Sequence, residues 1–115
     1  SLFIAPETAQ LEAAQDLGVP VVELHTGTYC DLTGEARLAE LEKIRAAVEL
    51  ADRMGIECHA GHGLTFNSVK LIAGIPNIRE LNIGHFLIAE AIFTGLPDAI
   101  KEMKKLIREA RLTVY

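Results

Sequence analysis

Three short runs of the chain alternate in the same way. In VVELHT, residues 21–26, Glu23 and His25 fall on one side of an extended chain, and Val22 and Leu24 on the other. In IECHA, residues 56–60, Glu57 and His59 oppose Ile56, Cys58 and Ala60. In ELNIG, residues 80–84, Glu80, Asn82 and Gly84 oppose Leu81 and Ile83. A sheet made of these runs is apolar on one face and carries carboxylates and imidazoles on the other. That constrains the fold strongly, because covering both faces would strand the carboxylates at several kcal/mol each.

Helical segments separate the runs. SLFI is short and apolar, and Pro6 opens a helix that Gly18 stops, proline suiting a first turn and glycine a C-terminal cap. PVVELHT follows, rich in the β-branched residues strands favour, and then a loop containing Gly27 and Gly34. Leu38, Leu41, Ile44, Val48 and Ala51, spaced by three or four, predict the longest helix over 35–54, with Gly55 at its end. IECHA leads through GHGL to a helix around 67–73, ending at Gly74. ELNIG leads into HFLIAEAIFTG, and a last helix starts at Pro97-Asp98 with Ile100, Met103, Leu106, Ile107 and Ala110 on one face. Four βα units in this order imply parallel strands and right-handed crossovers. No linker or low-complexity stretch interrupts them, so residues 1–115 read as one α/β segment.

Two architectures accept four such units. A doubly wound sheet is covered by helices on both faces and needs strands apolar on both. A (β/α) barrel covers only the outer face, and its interior can be polar and partly wet. The alternation favours barrel strands, of the TIM-barrel type. Four units are half of an eight-unit barrel, and an isolated half leaves two sheet edges and the inner face open. The expectation is that a complementary half, or a second copy of this chain, completes the sheet, unless the half-barrel stands alone by design. The chain opens at Ser1 directly on a strand-like run, as a cleaved or partial chain would.

Composition excludes several roles. Half of the 115 residues are hydrophobic and Trp is absent, so Ala, Leu, Ile and Val carry the apolar mass. That suits helices packed on parallel strands. The formal charge of −5 comes without a basic block, which argues against nucleic-acid binding. Lys101, Lys104, Lys105 and Arg108 lie among acids on the last helix and read as a solvated face. No apolar run reaches membrane-spanning length, and no signal peptide is visible. Cys30 and Cys58 form no CxxC, so free thiols in a reducing cytosol are expected.

In a (β/α) barrel, function gathers at the C-terminal ends of the strands. AGHG, residues 60–63, ends the third strand and IGH, residues 83–85, the fourth. Glycines let backbone amides approach an anion, and helix N-termini add a favourable dipole. Gly63 and Gly84-His85 therefore fit a phosphate site, although tight turns also use glycine. His62 can give or take a proton near neutral pH, or be an exposed turn residue. His85 can hold phosphate when protonated, or simply open a helix. Glu23 and His25 share the inner face near a strand end, where a carboxylate stabilises developing positive charge or relays protons. A structural polar pair is the plainer alternative. His25, Cys58, His59, His62 and His85 are candidate metal ligands, with His59-x-x-His62 at ligand-like spacing. Cys58 points away by alternation and no HExxH is present, so no metal is expected. Neither cysteine has an evident partner to activate it as a nucleophile.

ELHTG (23–27), AGHGLT (60–65), IPNIRELNIGH (75–85) and LIAEAIFTGLPDAIKEMKKLIREAR (87–111) together resemble the C-terminal half of pyridoxine 5′-phosphate synthases. These are (β/α)8-barrel enzymes of vitamin B6 biosynthesis. The resemblance runs from the fifth strand to the last helix, in order. It implies condensation of 3-amino-2-oxopropyl phosphate with 1-deoxy-D-xylulose 5-phosphate to pyridoxine 5′-phosphate, phosphate and water. It implies His62 as proton donor and Glu23 as transition-state stabiliser. It also implies Gly63, Gly84 and His85 as binders of the aminoketone phosphate. No metal or organic cofactor is implied, and a cytoplasmic homo-octamer is. The family's remaining acid/base residues and its sugar-phosphate contacts lie on the first barrel half, which this sequence lacks. A non-catalytic half-barrel that keeps only a phosphate pocket is the alternative reading.

Overall fold

The computed structural model describes residues 1–112. In chain order the elements are β1 (Leu2–Ile4), α1 (Thr8–Asp16), β2 (Val21–His25), α2 (Gly27–Asp31), α3 (Gly34–Arg53), β3 (Glu57–Gly61), α4 (Val69–Ala73), β4 (Ile78–Asn82), α5 (His85–Thr94) and α6 (Leu96–Leu112). The four strands form one sheet in sequence order, every pair parallel. Parallel neighbours joined by helices, with no strand reversed, form four βα units of the expected α/β half-barrel.

The alternation read from the sequence is the alternation of the sheet. Register pairs Val22 with Cys58 and Leu24 with Ala60 on the helix side, and Glu23 with His59 and His25 with Gly61 on the inner side. Val22, Leu24, Cys58 and Ala60 are all buried, and they join Leu11, Leu41, Ile44, Val48 and Ile72 in one core. Each fully buried Val, Leu or Ile side chain among them contributes about 1.5–3 kcal/mol. The inner face has no covering layer, and Phe3 on it remains 54% exposed.

Several boundaries differ from the sequence reading. The expected loop at Gly27 begins with the short helix α2. Arg37 clamps its end: Nε donates to the carbonyls of Tyr29 at 3.1 Å and Leu32 at 2.7 Å, and Nη2 donates to that of Cys30 at 2.9 Å. The fourth strand starts two residues early, at Ile78, because a bulge interrupts its pairing: Cys58 opposes Ile78, but His59 opposes Glu80. One added residue resets the period-two pattern, so ELNIG alone showed it. The helix expected from Pro6 begins at Thr8.

The last helix closes the layer. Met103 and Ala110 are buried, whereas Lys101, Lys104, Lys105 and Arg108 are exposed, the solvated face the charge pattern implied. Arg111 reaches from α6 to the carbonyls of Pro76, at 2.9 Å, and Ile78, tying the helix to the start of β4. Lys70 of α4 pairs with Glu109 at 2.8 Å. No helix among the described residues is long and apolar enough to cross a membrane.

Candidate functional site

The carboxyl ends of β2, β3 and β4 gather the side chains that the sequence singled out. Glu23 sits on the inner face of β2, and its Oε1 accepts a hydrogen bond of 2.5 Å from Asn82 Nδ2 on β4. The two reach each other across β3 because Gly61, between them, has no side chain. A Cβ there would lie 2.8 Å from both Glu23 Oε2 and the Asn82 carbonyl oxygen. The neutral amide fixes the carboxylate's direction without adding a charge.

His62 follows the last residue of β3 in an unusual backbone. Its φ of +90° makes it the one non-glycine residue with positive φ among the described residues, and Gly63 follows at +81°. A side chain in that region costs about 1–3 kcal/mol and persists only where surroundings enforce it. Two contacts do so. The buried Thr26 hydroxyl donates to the His62 carbonyl at 2.7 Å, and the His62 ring lies 4.5 Å from that of His25. Gly63 needs its glycine twice over, for its φ and because a Cβ would lie 3.2 Å from Cys30 Cβ. Gly84 differs. Its φ is −136° and nothing lies within 4 Å of a Cβ built there, so no turn demands glycine. What glycine leaves at that position is open space.

Gly84 and His85 begin α5, whose first turn receives no side-chain cap. Uncapped amides and the helix dipole favour an anion at such an end. A cavity of about 650 Å³ is bordered by this turn and by Glu23, His62, Gly63 and Asn82, with Phe3 and Phe86 as apolar walls. Its size is that of ordinary small-molecule sites. Five of the candidates named from the sequence, Glu23, His62, Gly63, Gly84 and His85, therefore border one space; His25 does not border it but packs its ring 4.5 Å from that of His62.

The remaining candidates lie elsewhere. His59 is directed along the inner face, Nε2 at 2.7 Å from Glu57 Oε2 and Nδ1 at 3.9 Å from Glu80 Oε2. Among the described residues no three His, Cys, Asp or Glu side chains converge as a metal site would require. Burial pushes the Cys58 thiol up to about 12. It also raises Cys30, against the lowering effect of its Ser68 hydrogen bond and of Arg37. A raised thiol pKa disfavours the nucleophilic thiolate form. Three site residues escaped the sequence reading. The alternation sets Asn82 on the polar face without assigning it a role, and nothing in the sequence marks Thr26 or Phe3, because their partners lie tens of residues away.

Fold and site together define a class: half of a (β/α) barrel carrying a small-molecule cavity at the C-terminal rim of its strands. The family model described as pyridoxal phosphate biosynthesis protein PdxJ matches residues 1–109, and the chain belongs to that family. It is 53% identical to a pyridoxine 5′-phosphate synthase of Caulobacter sp. (strain K31) over 118 residues, covering 99% of this chain and 47% of the relative. Against the Rhodospirillum rubrum protein of that name identity is 58% over 105 residues, covering 90% and 42%. Against that of Ruegeria pomeroyi it is 52% over 115 residues, covering 96% and 46%. The chain thus spans about half the length of the curated relatives it matches.

Proposed function

We propose that this chain supplies the aminoketone-phosphate side of a pyridoxine 5′-phosphate synthase site. The reaction joins 3-amino-2-oxopropyl phosphate to 1-deoxy-D-xylulose 5-phosphate and closes the pyridine ring, releasing phosphate and water. The observation that carries the reading is the convergence of Glu23, His62, Gly63, Gly84 and His85 on one cavity in a chain of this family.

In this reading the backbone at Gly63 and Gly84, the uncapped first turn of α5 and the His85 side chain hold the phosphate dianion. The absence of a side chain at Gly84 leaves room for it. Imine formation, dehydration, phosphate loss and ring closure are largely proton transfers around that fixed anion. His62, exposed at the cavity edge, donates protons to departing oxygen. Glu23, oriented by Asn82, stabilises the cationic character of iminium intermediates. No metal or organic cofactor enters. The sugar phosphate is held by the complementary half of the barrel, and the working form is a cytoplasmic homo-oligomer, an octamer by family resemblance.

Calorimetric titration and a turnover assay test this reading on the purified chain. The 115-residue chain is expected to bind 3-amino-2-oxopropyl phosphate, His85→Ala is expected to weaken it by about tenfold, and neither should turn over when both substrates are supplied. Turnover at an ordinary enzyme rate by the isolated chain would refute the half-site. Binding that is indifferent to His85→Ala would refute the assignment of the phosphate pocket. A half-barrel that binds phosphate but never gains activity with the complementary half supplied would establish the non-catalytic alternative.

A further inference from the structure

The end of β2 holds a second imidazole that this chemistry leaves unused. The His25 ring stacks on Phe3, with centroids 4.8 Å apart and planes 6° apart. On its other contact it meets His62, at 4.5 Å and 38°. The Gly27 N–H donates to His25 Nδ1 at 2.9 Å. A backbone amide can only donate, so Nδ1 presents its lone pair and the neutral ring carries its hydrogen on Nε2. Gly27 makes the arrangement possible. A Cβ there would lie 2.3 Å from His25 Cε1 and 2.9 Å from His62 Cδ2. Thr26, between the two, holds the His62 carbonyl.

We propose that His25 and Gly27 are positioning residues for His62. His62 leaves β3 at φ +90°, outside any regular element, so no helix or strand sets its ring direction. The direction comes from β2: a flat ring of fixed tautomer on one side, and a missing side chain that lets the two rings meet. His62 borders the cavity and His25 does not, so His25 acts through its neighbour. The catalytic consequence rests on the proton-donor reading of His62, whereas the seating of the ring is a property of this chain that needs no turnover to be seen.

Long-range proton–nitrogen correlation spectra of the histidine rings, recorded on the 115-residue chain with the imidazoles neutral, provide the first test. Gly27 has no positive φ and opens a helix, so Gly27→Ala fits the backbone and perturbs only the rings. Native His25 is expected as the Nε2–H tautomer, with a cross-relaxation contact to His62. Gly27→Ala is expected to move the ring signals of both histidines while α6 amides stay in place. His25→Phe, which keeps a ring against Phe3 and His62, should perturb His62 less than His25→Asn, which keeps an acceptor but loses the ring. An Nδ1–H tautomer, or His62 signals unmoved by both Gly27→Ala and His25→Asn, overturns the proposal. In a complete barrel carrying this segment, Gly27→Ala should lower kcat by about tenfold or more and leave KM for the aminoketone phosphate nearly unchanged. A loss confined to KM also overturns it. A native barrel without synthase activity would remove the proposed function and leave the seating of His62 standing.

Discussion

Replacing Gly61 by alanine sets two opposing effects against each other at the centre of the site. Gly61 lies in β3 without positive φ, so alanine suits its backbone and by itself would stabilise the strand by about 0.5–1 kcal/mol. The added methyl, however, would lie 2.8 Å from the Asn82 carbonyl oxygen, 2.8 Å from Glu23 Oε2 and 3.0 Å from Asn82 Cβ. Glu23 can swing its carboxylate aside cheaply. The Asn82 oxygen is backbone in the neighbouring strand and moves only if β3 and β4 spread. Overpacking of that kind costs about 1–3 kcal/mol. The net expectation is a loss of about 1–2 kcal/mol, or a fall of roughly 5 °C in the thermal midpoint for a chain of this size. Urea unfolding of native and Gly61→Ala protein at neutral pH measures it, with native slope retained. Stabilisation of Gly61→Ala by the half-kilocalorie that backbone entropy alone provides would show that the strands part freely. The close approach of Glu23 and Asn82 would then not depend on a bare position in β3.

Three further outcomes follow from the same geometry. Arg37→Ala removes three hydrogen bonds to carbonyls of α2 and the residue just after it and a guanidinium 5.1 Å from the Tyr29 ring centre; it should cost about 2 kcal/mol in urea unfolding, and a change under about 0.5 kcal/mol would show that α2 holds itself. Ile44→Ala, at a fully buried site under the sheet, should cost about 3 kcal/mol in the same measurement, unless the core collapses around the gap. Cys58 gives a pH signature: its thiol is raised from 9.0 to about 12 in the folded chain, so the unfolded chain loses the proton first. The stability this group contributes is full below pH 9 and is lost towards about 12, at roughly 1 kcal/mol per pH unit. Unfolding midpoints of Cys58→Ala should lack that part of the alkaline decline, and parallel declines in both proteins would contradict it.

Residue alternation within VVELHT and IECHA made the sheet's two faces legible, because period two is a local property that needs no knowledge of partners. The rim site was legible for a related reason: a strand end followed by glycine and a helix is local too. What stayed hidden depends on long-range geometry. In the sequence Arg37 is one charge among several on a long helix, yet it fastens α2 through carbonyls that only the folded turn brings near. Leu38 and Ile100 lie on their helices' apolar stripes but remain 53% and 39% exposed, since periodicity marks a stripe and not how far its neighbour extends along it. Gly84 and Gly63 looked alike in sequence, and only their backbone angles separate a glycine required by the turn from one that leaves space.

The inner face shows why register, more than composition, makes this site. Its carboxylates find partners within the strand, on the next strand and across one: Glu57 and Glu80 flank His59, and Glu23 takes the Asn82 amide across β3. Ile78 is buried opposite Cys58 on the helix side. Strict alternation from there would set Arg79 opposite His59, turn Glu80 towards the apolar core and bring Leu81, not Asn82, opposite Gly61. The added residue at the bulge prevents this. It keeps Ile78 under the helices, sends Glu80 and Asn82 to the inner face and leaves Leu81 packed against the core. Burying Glu80 unpaired would cost several kcal/mol, so the bulge both protects the core and delivers the amide that orients Glu23. Fold stability and site geometry thus select the same irregularity in β4.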